Sequence, residues 1–483
     1  MIRCPRFLLF LGVVFALATS STYGSRPPNI ILIVADDLGY GDLGSYGAKG
    51  YSTPHLDALA EKGVRFTHFA VAQAVCSASR AAFLTGCYPN RLGIHGALSP
   101  KALHGLNPQE TTLAELLRAQ GYATGMAGKW HLGSGPEFSP LQQGFDQWFG
   151  IPYSNDMWPH HPEAPPGTYP PLPLFENDRV VDAALSPEDQ IQLTTRFTEA
   201  AVSFITQQQK RPFFFYLAHP MPHVPLFVSE KFRGKSARGL YGDVIMELDW
   251  SVGEIVKTVK ALGLERDTLI IFTSDNGPWL SYGTHAGSAG AFREGKGTSW
   301  EGGLRVPCIM AWPDTLPEGV VNDRFFMSID LLPTIAGKLN APRPSLAIDG
   351  RDVWPLLLNE PEARNPHEAY GVWYAQNELQ AVISGDGRWK LVLPHTYRTL
   401  GGKPGGDRGK PVKYTNSQVN QPQLFDLRQE PAETTSLAST QPQVVQQLTV
   451  LADAFRQDLG DSLTQIKGQG NRPAGRKAAP GSP

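Results

Sequence analysis

The chain has 483 residues, of which 41% are hydrophobic and 18% are charged, and this composition excludes an intrinsically disordered protein. Its 43 Lys and Arg residues nearly balance its 45 Asp and Glu residues, which gives a net charge of −2. Because a protein that binds a phosphate backbone needs a basic excess, we expect no nucleic-acid partner.

The first 24 residues have the pattern of a signal peptide. Arg3 and Arg6 precede an apolar run from Phe7 to Ala18, and small and polar residues follow it. This run is shorter than the roughly 20 residues that cross a membrane, although an uncleaved membrane anchor is the alternative. We therefore expect residues 1–24 to be removed from an exported protein, periplasmic or secreted, that has no stable insertion in a membrane.

Predicted strands alternate with predicted helices between residues 25 and 364. The run NIILIVA at 29–35 is apolar and β-branched, which is typical of a strand buried on both faces. The other predicted strands are 64–71, 122–128, 212–218 and 267–274. Helices are predicted just after Thr53 and at 111–120, 193–209 and 243–262. This alternation predicts an α/β domain in which helices sandwich a large, mixed and mainly parallel sheet.

The chain changes character outside this region. Residues 151–187 are rich in proline and lack periodicity, so we interpret them as a surface insertion near the rim of a site. Short strands at 370–374, 380–384, 389–393 and 424–427 and a helix at 442–459 predict a smaller α+β domain with an antiparallel sheet, at 365–465. Residues 466–483 are basic and rich in Gly and Pro, and they predict a disordered tail.

Polar side chains stand directly after two of the buried strands. Asp36 and Asp37 follow the first strand, and Asp275 and Asn276 follow the strand at 267–274. Parallel sheets bind ligands beyond the carboxyl ends of their strands. Carboxylate and amide oxygens suit Ca²⁺ or Mg²⁺ rather than zinc, so these residues predict a metal site. Their alternative role is that of caps and turn residues.

Cys76 begins a predicted helix that also carries Arg80. A cysteine at a helix N-terminus beside an arginine lies in an electropositive setting that favours an anionic group. A small buried thiol is the alternative. Without the signal peptide, three cysteines remain, which excludes a scaffold built on disulfides.

Several Lys and His residues lie in loops near predicted strand ends. Lys129 and His131 follow Gly128, and Lys129 offers a point charge for an anion, although an ordinary surface loop is the alternative. His223 follows the strand at 212–218, and prolines on either side of Met221 exclude a helix that would place it beside His219.

The segment Cys76-Ser-Ala-Ser-Arg80, followed by Leu84-Thr85-Gly86, resembles the signature of the type I sulfatases. Ala78 stands where proline is usual in that family. Further segments also resemble sulfatase blocks and occur in the family's order: 27–44, 125–133, 273–278, 295–307 and 424–433. The chain is therefore identified as a member of this family, most like the branch of arylsulfatase A and N-acetylgalactosamine-6-sulfatase.

The resemblance implies a fold like that of alkaline phosphatase, with residues 25–364 as the catalytic domain. It implies hydrolysis of a sulfate monoester by a formylglycine hydrate, which a formylglycine-generating enzyme makes from Cys76. The implied metal ligands, for Ca²⁺ or else Mg²⁺, are Asp36, Asp37, Cys76, Asp275 and Asn276. The implied catalytic residues are Cys76, Arg80, Lys129, His131 and His223. The implied substrate-binding residues are Lys129, Ser154, His223 and Lys296.

Two other functions stay open at this point. The same superfamily includes phosphodiesterases and phosphonate hydrolases, and an activated nucleophile does not by itself choose sulfur over phosphorus. The chain could also be an inactive protein that binds sulfated glycans. As a sulfatase, it is expected to take a small-molecule or glycan sulfate ester.

Overall fold

The computed structural model of the protein describes Met1 and residues 26–477, so the predicted signal peptide lies, apart from Met1, outside the described residues. In chain order, the strands are β1 (Asn29–Ala35), β2 (Val64–Phe66), β3 (Phe69–Ala70), β4 (His104–Gly105), β5 (Ala123–Lys129), β6 (Gln147–Ile151), β7 (Leu174–Glu176), β8 (Arg179–Asp182), β9 (Phe213–Ala218), β10 (Thr268–Ser274), β11 (Cys308–Ala311), β12 (Val320–Asn322), β13 (Phe326–Met327), β14 (Ala369–Tyr374), β15 (Glu378–Ser384), β16 (Trp389–Val392), β17 (His395–Thr399), β18 (Thr415–Val419), β19 (Gln423–Asp426) and β20 (Gly475–Arg476). The α-helices are α1 (Pro54–Glu61), α2 (Cys76–Thr85), α3 (Leu113–Ala119), α4 (Pro187–Ile191), α5 (Leu193–Gln208), α6 (Leu240–Ala261), α7 (Glu301–Leu304), α8 (Leu331–Lys338), α9 (Trp354–Leu357) and α10 (Pro442–Leu459).

A ten-stranded sheet forms the centre of the larger domain, in the order β12-β2-β11-β10-β1-β9-β5-β6-β7-β8. Its middle strands β10, β1, β9, β5 and β6 all run parallel, and antiparallel strands extend it on both sides. The prediction of a large, mixed and mainly parallel sheet is confirmed.

Helices cover both faces of this sheet because its central strands are apolar on both sides. Ile30, Leu32 and Val34 of β1 face a core that includes residues of α2, α3 and α8. The alternate residues Ile31 and Ile33 face a second core that includes residues of α1, α5 and α6. This period of two is what the pleat of a strand imposes.

The C-terminal region holds an antiparallel sheet in the order β14-β15-β16-β19, as predicted. Helix α10 packs on this sheet, and its buried Leu448 and Ala452 join a core that reaches Trp300 of the larger domain. The three cysteines of the described residues, Cys76, Cys87 and Cys308, are buried and unpaired. Among the described helices, none is both long and apolar enough to cross a membrane.

Two local predictions need correction, and a third needs an addition. The strand predicted at 64–71 is divided, because β2 pairs with β11 in the large sheet whereas β3 pairs with β13. The insertion at 151–187 contributes β7 and β8, which extend the large sheet.

The prediction of a disordered tail from residue 466 is wrong for residues 466–477. Strand β20 pairs with β4, and the Arg472 guanidinium lies 2.7 Å from a carboxylate oxygen of Glu110. The basic side chain that suggested a solvated tail has an acidic partner on the larger domain. The remaining residues, 478–483, lie outside the described part of the chain.

Candidate active site

The parallel strands bring distant parts of the chain to one edge of the sheet. Strands β10, β1, β9, β5 and β6 are neighbours, and their carboxyl ends all point the same way. The residues predicted to follow these ends therefore meet, although they come from positions 36 to 276 of the sequence. This is the edge at which open parallel sheets bind ligands.

Three buried carboxylates and one amide lie at the ends of β1 and β10. The backbone N–H of Asp37 donates to Oδ1 of Asp275 over 3.1 Å, and Asn276 Nδ2 donates to Oδ1 of Asp37 over 2.7 Å. Asp37 has a φ of 64°, a left-handed conformation that is strained for a residue with a side chain. The predicted metal ligands Asp36, Asp37, Asp275 and Asn276 are thus gathered in one place.

Three buried cations face these carboxylates. Lys129 Nζ lies 2.5 Å from Oδ2 of Asp36, and Lys296 Nζ lies 2.7 Å from Oδ1 of Asp37. The Arg80 guanidinium lies 2.8 Å from Oδ2 of Asp275. Three carboxylates and three cations are therefore buried together, and we call these six residues the site cluster: Asp36, Asp37, Arg80, Lys129, Asp275 and Lys296.

The pKa values of Asp36 and Asp275 are shifted in opposite directions. Burial would raise the pKa of Asp36, but the nearby Lys129 and Arg80 outweigh it and hold that pKa well below its usual range. Burial, together with the negative charge of Asp36, raises the pKa of Asp275 despite Arg80. The cluster thus disfavours full ionisation of its carboxylates, a situation that an additional cation would relieve.

The donor set fits a hard divalent cation. The side chains of Asp36, Asp37, Asp275 and Asn276 offer oxygen ligands. The Oδ1 atom of Asn276 is buried without a hydrogen-bond partner. Ligand atoms of Asp36, Asp37, Cys76 and His223 also lie within 4.8 Å of one another. The residues present could therefore hold Ca²⁺ or Mg²⁺, and the unpartnered Asn276 oxygen is the strongest sign.

Cys76 occupies the first position of α2, a helix whose ten residues are all buried. Its Sγ lies 3.4 Å from Lys296 Nζ and 3.5 Å from Oδ1 of Asp36. Burial raises the pKa of the thiol, and this effect outweighs the lowering by Lys129 and Lys296. The electropositive setting expected from the sequence is present, but an unmodified thiol here stays protonated and is a weak nucleophile.

The histidines of the region differ in their surroundings. His223 lies with Nε2 3.6 Å from Oδ2 of Asp37, while its Nδ1 lies 2.5 Å from the carbonyl oxygen of Val224. That carbonyl can only accept, so Nδ1 carries a proton. His219 instead contacts Ser251 Oγ over 3.0 Å, and burial lowers its pKa to about 3.

His131, like Asp37, has a strained backbone, because its φ is 60°. Burial and then the charge of Lys129 hold its pKa well below the ordinary value, so the ring is neutral. Nε2 lies 2.9 Å from the carbonyl oxygen of Leu98, and the buried Nδ1 has no hydrogen-bond partner. Ser154, after β6, places its Oγ 3.1 Å from Lys129 Nζ.

Residues that the sequence analysis did not select also line the site. The ring centroids of Trp279 and His223 lie 5.5 Å apart. Lys296 Nζ lies 4.6 Å from the centroid of the Trp279 ring. Burial would raise the pKa of Asp156, but His223 and a hydrogen bond from His161 hold it low. Trp279 directly follows the segment 273–278 and could have been noticed. Arg398, which binds the backbone of Lys296, had no sequence signal.

Comparison with known proteins places this arrangement in context. The sulfatase family profile matches residues 28–341. Human arylsulfatase A is 40% identical over 472 aligned residues, which cover 92% of this chain and 90% of that protein. The N-acetylgalactosamine-6-sulfatase of Canis lupus familiaris is 35% identical, with 94% and 91% covered. Among solved structures, the PsFucS1 sulfatase from Pseudoalteromonas sp. matches with a TM-score of 0.78 at 26% identity, over 89% of this chain and 90% of that chain.

Proposed function

The chain belongs to the sulfatase family and is a sulfuric ester hydrolase, and we propose that it cleaves sulfate monoesters at the site cluster, with Cys76 as the source of the nucleophile. The observation that carries this proposal is the position of Cys76, whose Sγ lies 3.4 Å from a buried lysine and 3.5 Å from a buried carboxylate. A tetrahedral anion beside Cys76 would be close to three cations, Lys129 at the end of β5, Arg80 of α2 and Lys296.

We propose that Cys76 acts after conversion to formylglycine by a formylglycine-generating enzyme. The raised pKa of the buried thiol supports this, since thiolate is scarce there and its attack on sulfur offers no easy release of sulfate. The hydrate of formylglycine supplies two hydroxyls on one carbon, one to attack sulfur and one to release sulfate. Because Cys76 is only 1% exposed, the modifying enzyme must act before α2 is packed.

The proposed cofactor is one divalent cation, Ca²⁺ or alternatively Mg²⁺. Asp36, Asp37, Asp275 and Asn276 would hold it, together with the modified residue 76. It would supply positive charge for the sulfate oxygens. With such a cation beside Asp36 and Asp37, Lys129 and Lys296 no longer serve as their main counter-ions. Their ammonium groups can then bind the sulfate oxygens, which is the role that we propose for both lysines.

Proton transfer is assigned to His223. With Nδ1 donating to the carbonyl of Val224, a protonated His223 has Nε2 free to give a proton to the departing alcohol. His131 is neutral and has a free Nδ1, which suits a hydrogen bond to a hydroxyl on residue 76. Arg80, fixed by Asp275, is proposed to orient the modified residue. Ser154 is proposed to face the substrate beside Lys129.

The proposed substrate is a small-molecule or glycan sulfate ester, in line with relatives that are named steryl-sulfatase and N-acetylgalactosamine-6-sulfatase. The proposed location is outside the cytoplasm, periplasmic or secreted, in line with the N-terminal pattern. Specificity is assigned to the segment 151–187 and the C-terminal domain, which contribute Ser154 and Arg398 beside the site lysines.

The test is hydrolysis of a chromogenic aryl sulfate against an aryl phosphodiester, with the wild-type protein and Cys76→Ala. We expect the wild type to prefer the sulfate ester strongly and Cys76→Ala to be inactive on it. Preference for the phosphodiester would assign the site to phosphoryl chemistry. Binding of sulfated glycans without turnover of any sulfate ester would instead indicate an inactive binding protein.

A further inference from the structure

The turn that presents Lys296 is held by the body of the larger domain on one side. This turn, residues 293–297, is called the lysine loop below. The N–H of Lys296 donates to the carbonyl oxygen of Pro278 over 2.9 Å, and the N–H of Gly297 donates to that of Ala74 over 2.8 Å. The second bond ties the lysine loop to the residues that lead into α2 and Cys76.

Strand β17 of the C-terminal domain holds the other side of the same loop. Three consecutive residues take part: Tyr397 Oη accepts from Arg293 over 2.8 Å, and Thr399 Oγ1 donates to Glu294 over 2.6 Å. Between them, Arg398 donates to the carbonyl oxygen of Lys296 from Nε, over 3.0 Å, and also from Nη2. Two donors of one rigid guanidinium therefore converge on a single backbone oxygen of the lysine loop.

The packing around Arg398 leaves the guanidinium little freedom. Its Cζ lies 4.6 Å from the ring centroid of Tyr414 and 6.0 Å from that of Trp279. Gly297 has a φ of 80°, and a Cβ at that position would lie 2.4 Å from Arg398 Cζ. A side chain at 297 would therefore require the Arg398 guanidinium to move away from the loop backbone.

We infer that Arg398 is a positioning residue, through which the C-terminal domain fixes the place of the Lys296 ammonium in the site. Lys296 has a long, flexible side chain, so the position of its charge depends on how firmly its backbone is held. Arg398 does this through the carbonyl of the same residue. The inference rests on the proposed role of Lys296 in binding sulfate.

The alternative for this arginine is direct contact with the substrate, because its side chain is half-buried rather than sealed off. The two roles differ in one respect. A residue that acts through Lys296 has nothing to position once the Lys296 ammonium is removed. A residue that binds the substrate directly keeps its effect in the absence of that ammonium.

The experiment is a double-mutant cycle of Arg398→Ala and Lys296→Ala. The readouts are kcat and KM for an aryl sulfate and the inhibition constant of inorganic sulfate, all per formylglycine-containing molecule. We expect Arg398→Ala to raise KM and the sulfate inhibition constant together, by about tenfold, with a smaller change in kcat. In the Lys296→Ala background, Arg398→Ala should change neither value further. Arg398→Lys, which keeps one donor, should fall between the wild type and Arg398→Ala.

The matched control is Arg428→Ala, since Arg428 is another arginine of the C-terminal domain that donates to a backbone carbonyl, but to that of Asp386 within the same domain, over 3.1 Å. Arg428→Ala should leave KM and the sulfate inhibition constant unchanged. Thermal melting of every variant checks that it is folded. Equal effects of Arg398→Ala with and without Lys296, or no effect in the wild type, would overturn the inference. If Lys296→Ala itself leaves sulfate inhibition unchanged, the proposed function of Lys296 is wrong, which is a separate result.

Discussion

Two of the buried charge clusters in the described part of the chain differ in ways that show what makes one of them a site. The first is the site cluster at the edge of the large sheet. The second, called the border cluster, joins the larger domain to the C-terminal sheet and consists of His68, Glu301, Arg305, Lys390 and Glu433. In the border cluster, Lys390 Nζ lies 3.0 Å from Glu301 and 2.8 Å from Glu433.

Charge is balanced in the border cluster without any ligand. Arg305 lies 2.6 Å from Glu301, so each carboxylate has a cation within 3.0 Å. Burial opposes ionisation of Glu301, but Lys390 and Arg305 outweigh it and lower its pKa, whereas burial raises the pKa of Glu433 to about 7 despite Lys390. The unequal pKa values of paired carboxylates are therefore common to both clusters and do not distinguish them. The site cluster has equal numbers of charges too, but it adds an unpartnered amide oxygen, a thiol between charges and two strained backbones. Buried charge alone does not indicate catalysis; open ligand atoms beside a nucleophile do.

The largest effect is expected for Asp275→Asn in the site cluster. The substitution keeps the shape of the side chain but removes a metal-binding charge, so kcat/KM should fall by about 10³-fold, or about 4 kcal/mol of transition-state stabilisation. Thermal melting should show that calcium stabilises the wild type much more than the variant. Full activity after thorough removal of metal from the wild type would contradict this view of the site.

The opposite pattern is expected for Lys390→Met in the border cluster. It leaves Glu433 buried without its cation, which should destabilise the protein by about 3 kcal/mol, measured by denaturant unfolding. Activity per folded molecule should stay near that of the wild type under stabilising conditions. A large loss of kcat with unchanged stability would show that the two clusters are not separate in function.

His223 provides a finer test of the site cluster. His223→Gln should lower the hydrolysis of esters of poorly acidic alcohols about 10²-fold more than that of nitrophenyl esters. The nitrophenolate group leaves without needing a proton. The ratio of kcat values for the two kinds of ester is the measurement. Equal losses for both would assign His223 to sulfate binding alone.

The smallest effect concerns pH and the border cluster. Burial and then Arg305 hold the pKa of His68 well below its ordinary value of 6.5, so the folded protein keeps this ring neutral while the unfolded chain binds a proton. Stability should therefore fall as the pH drops below about 6.5, by at most about 1.4 kcal/mol per pH unit from this residue. His68→Gln keeps an acceptor for Arg305 and should have a flatter profile from pH 5 to 7. Parallel profiles of variant and wild type would contradict a neutral His68.

Local sequence patterns predicted many of the strands and helices, because the formation of each such element depends on neighbouring residues. The apolar run 29–35 is β1, and the helix 442–459 has the predicted bounds. The polar groups at the ends of β1 and β10 meet because parallel strands share an edge. The division of the strand at 64–71 was not predictable, since β11 and β13, which pair with its halves, lie far along the chain.

Long-range contacts also explain what the sequence could not reveal about the site. Arg398 lies 102 positions from the lysine whose backbone it binds, and no local pattern reports that contact. The sequence predicts an electropositive setting for the thiol of Cys76, with a small buried thiol as the alternative. The cations are present, but burial has the larger effect on the pKa of the thiol and raises it. The roles of the individual site residues remain predictions until the variants above are measured.

Mass spectrometry of the tryptic peptide Phe66–Arg80 tests whether Cys76 provides the nucleophile as formylglycine. The peptide is analysed from the same preparations whose aryl sulfatase activity is measured, after expression with different amounts of a formylglycine-generating enzyme. We predict a peptide lighter than the thiol form, with specific activity proportional to its fraction. A fully active preparation in which this peptide contains only unmodified cysteine would contradict the claim.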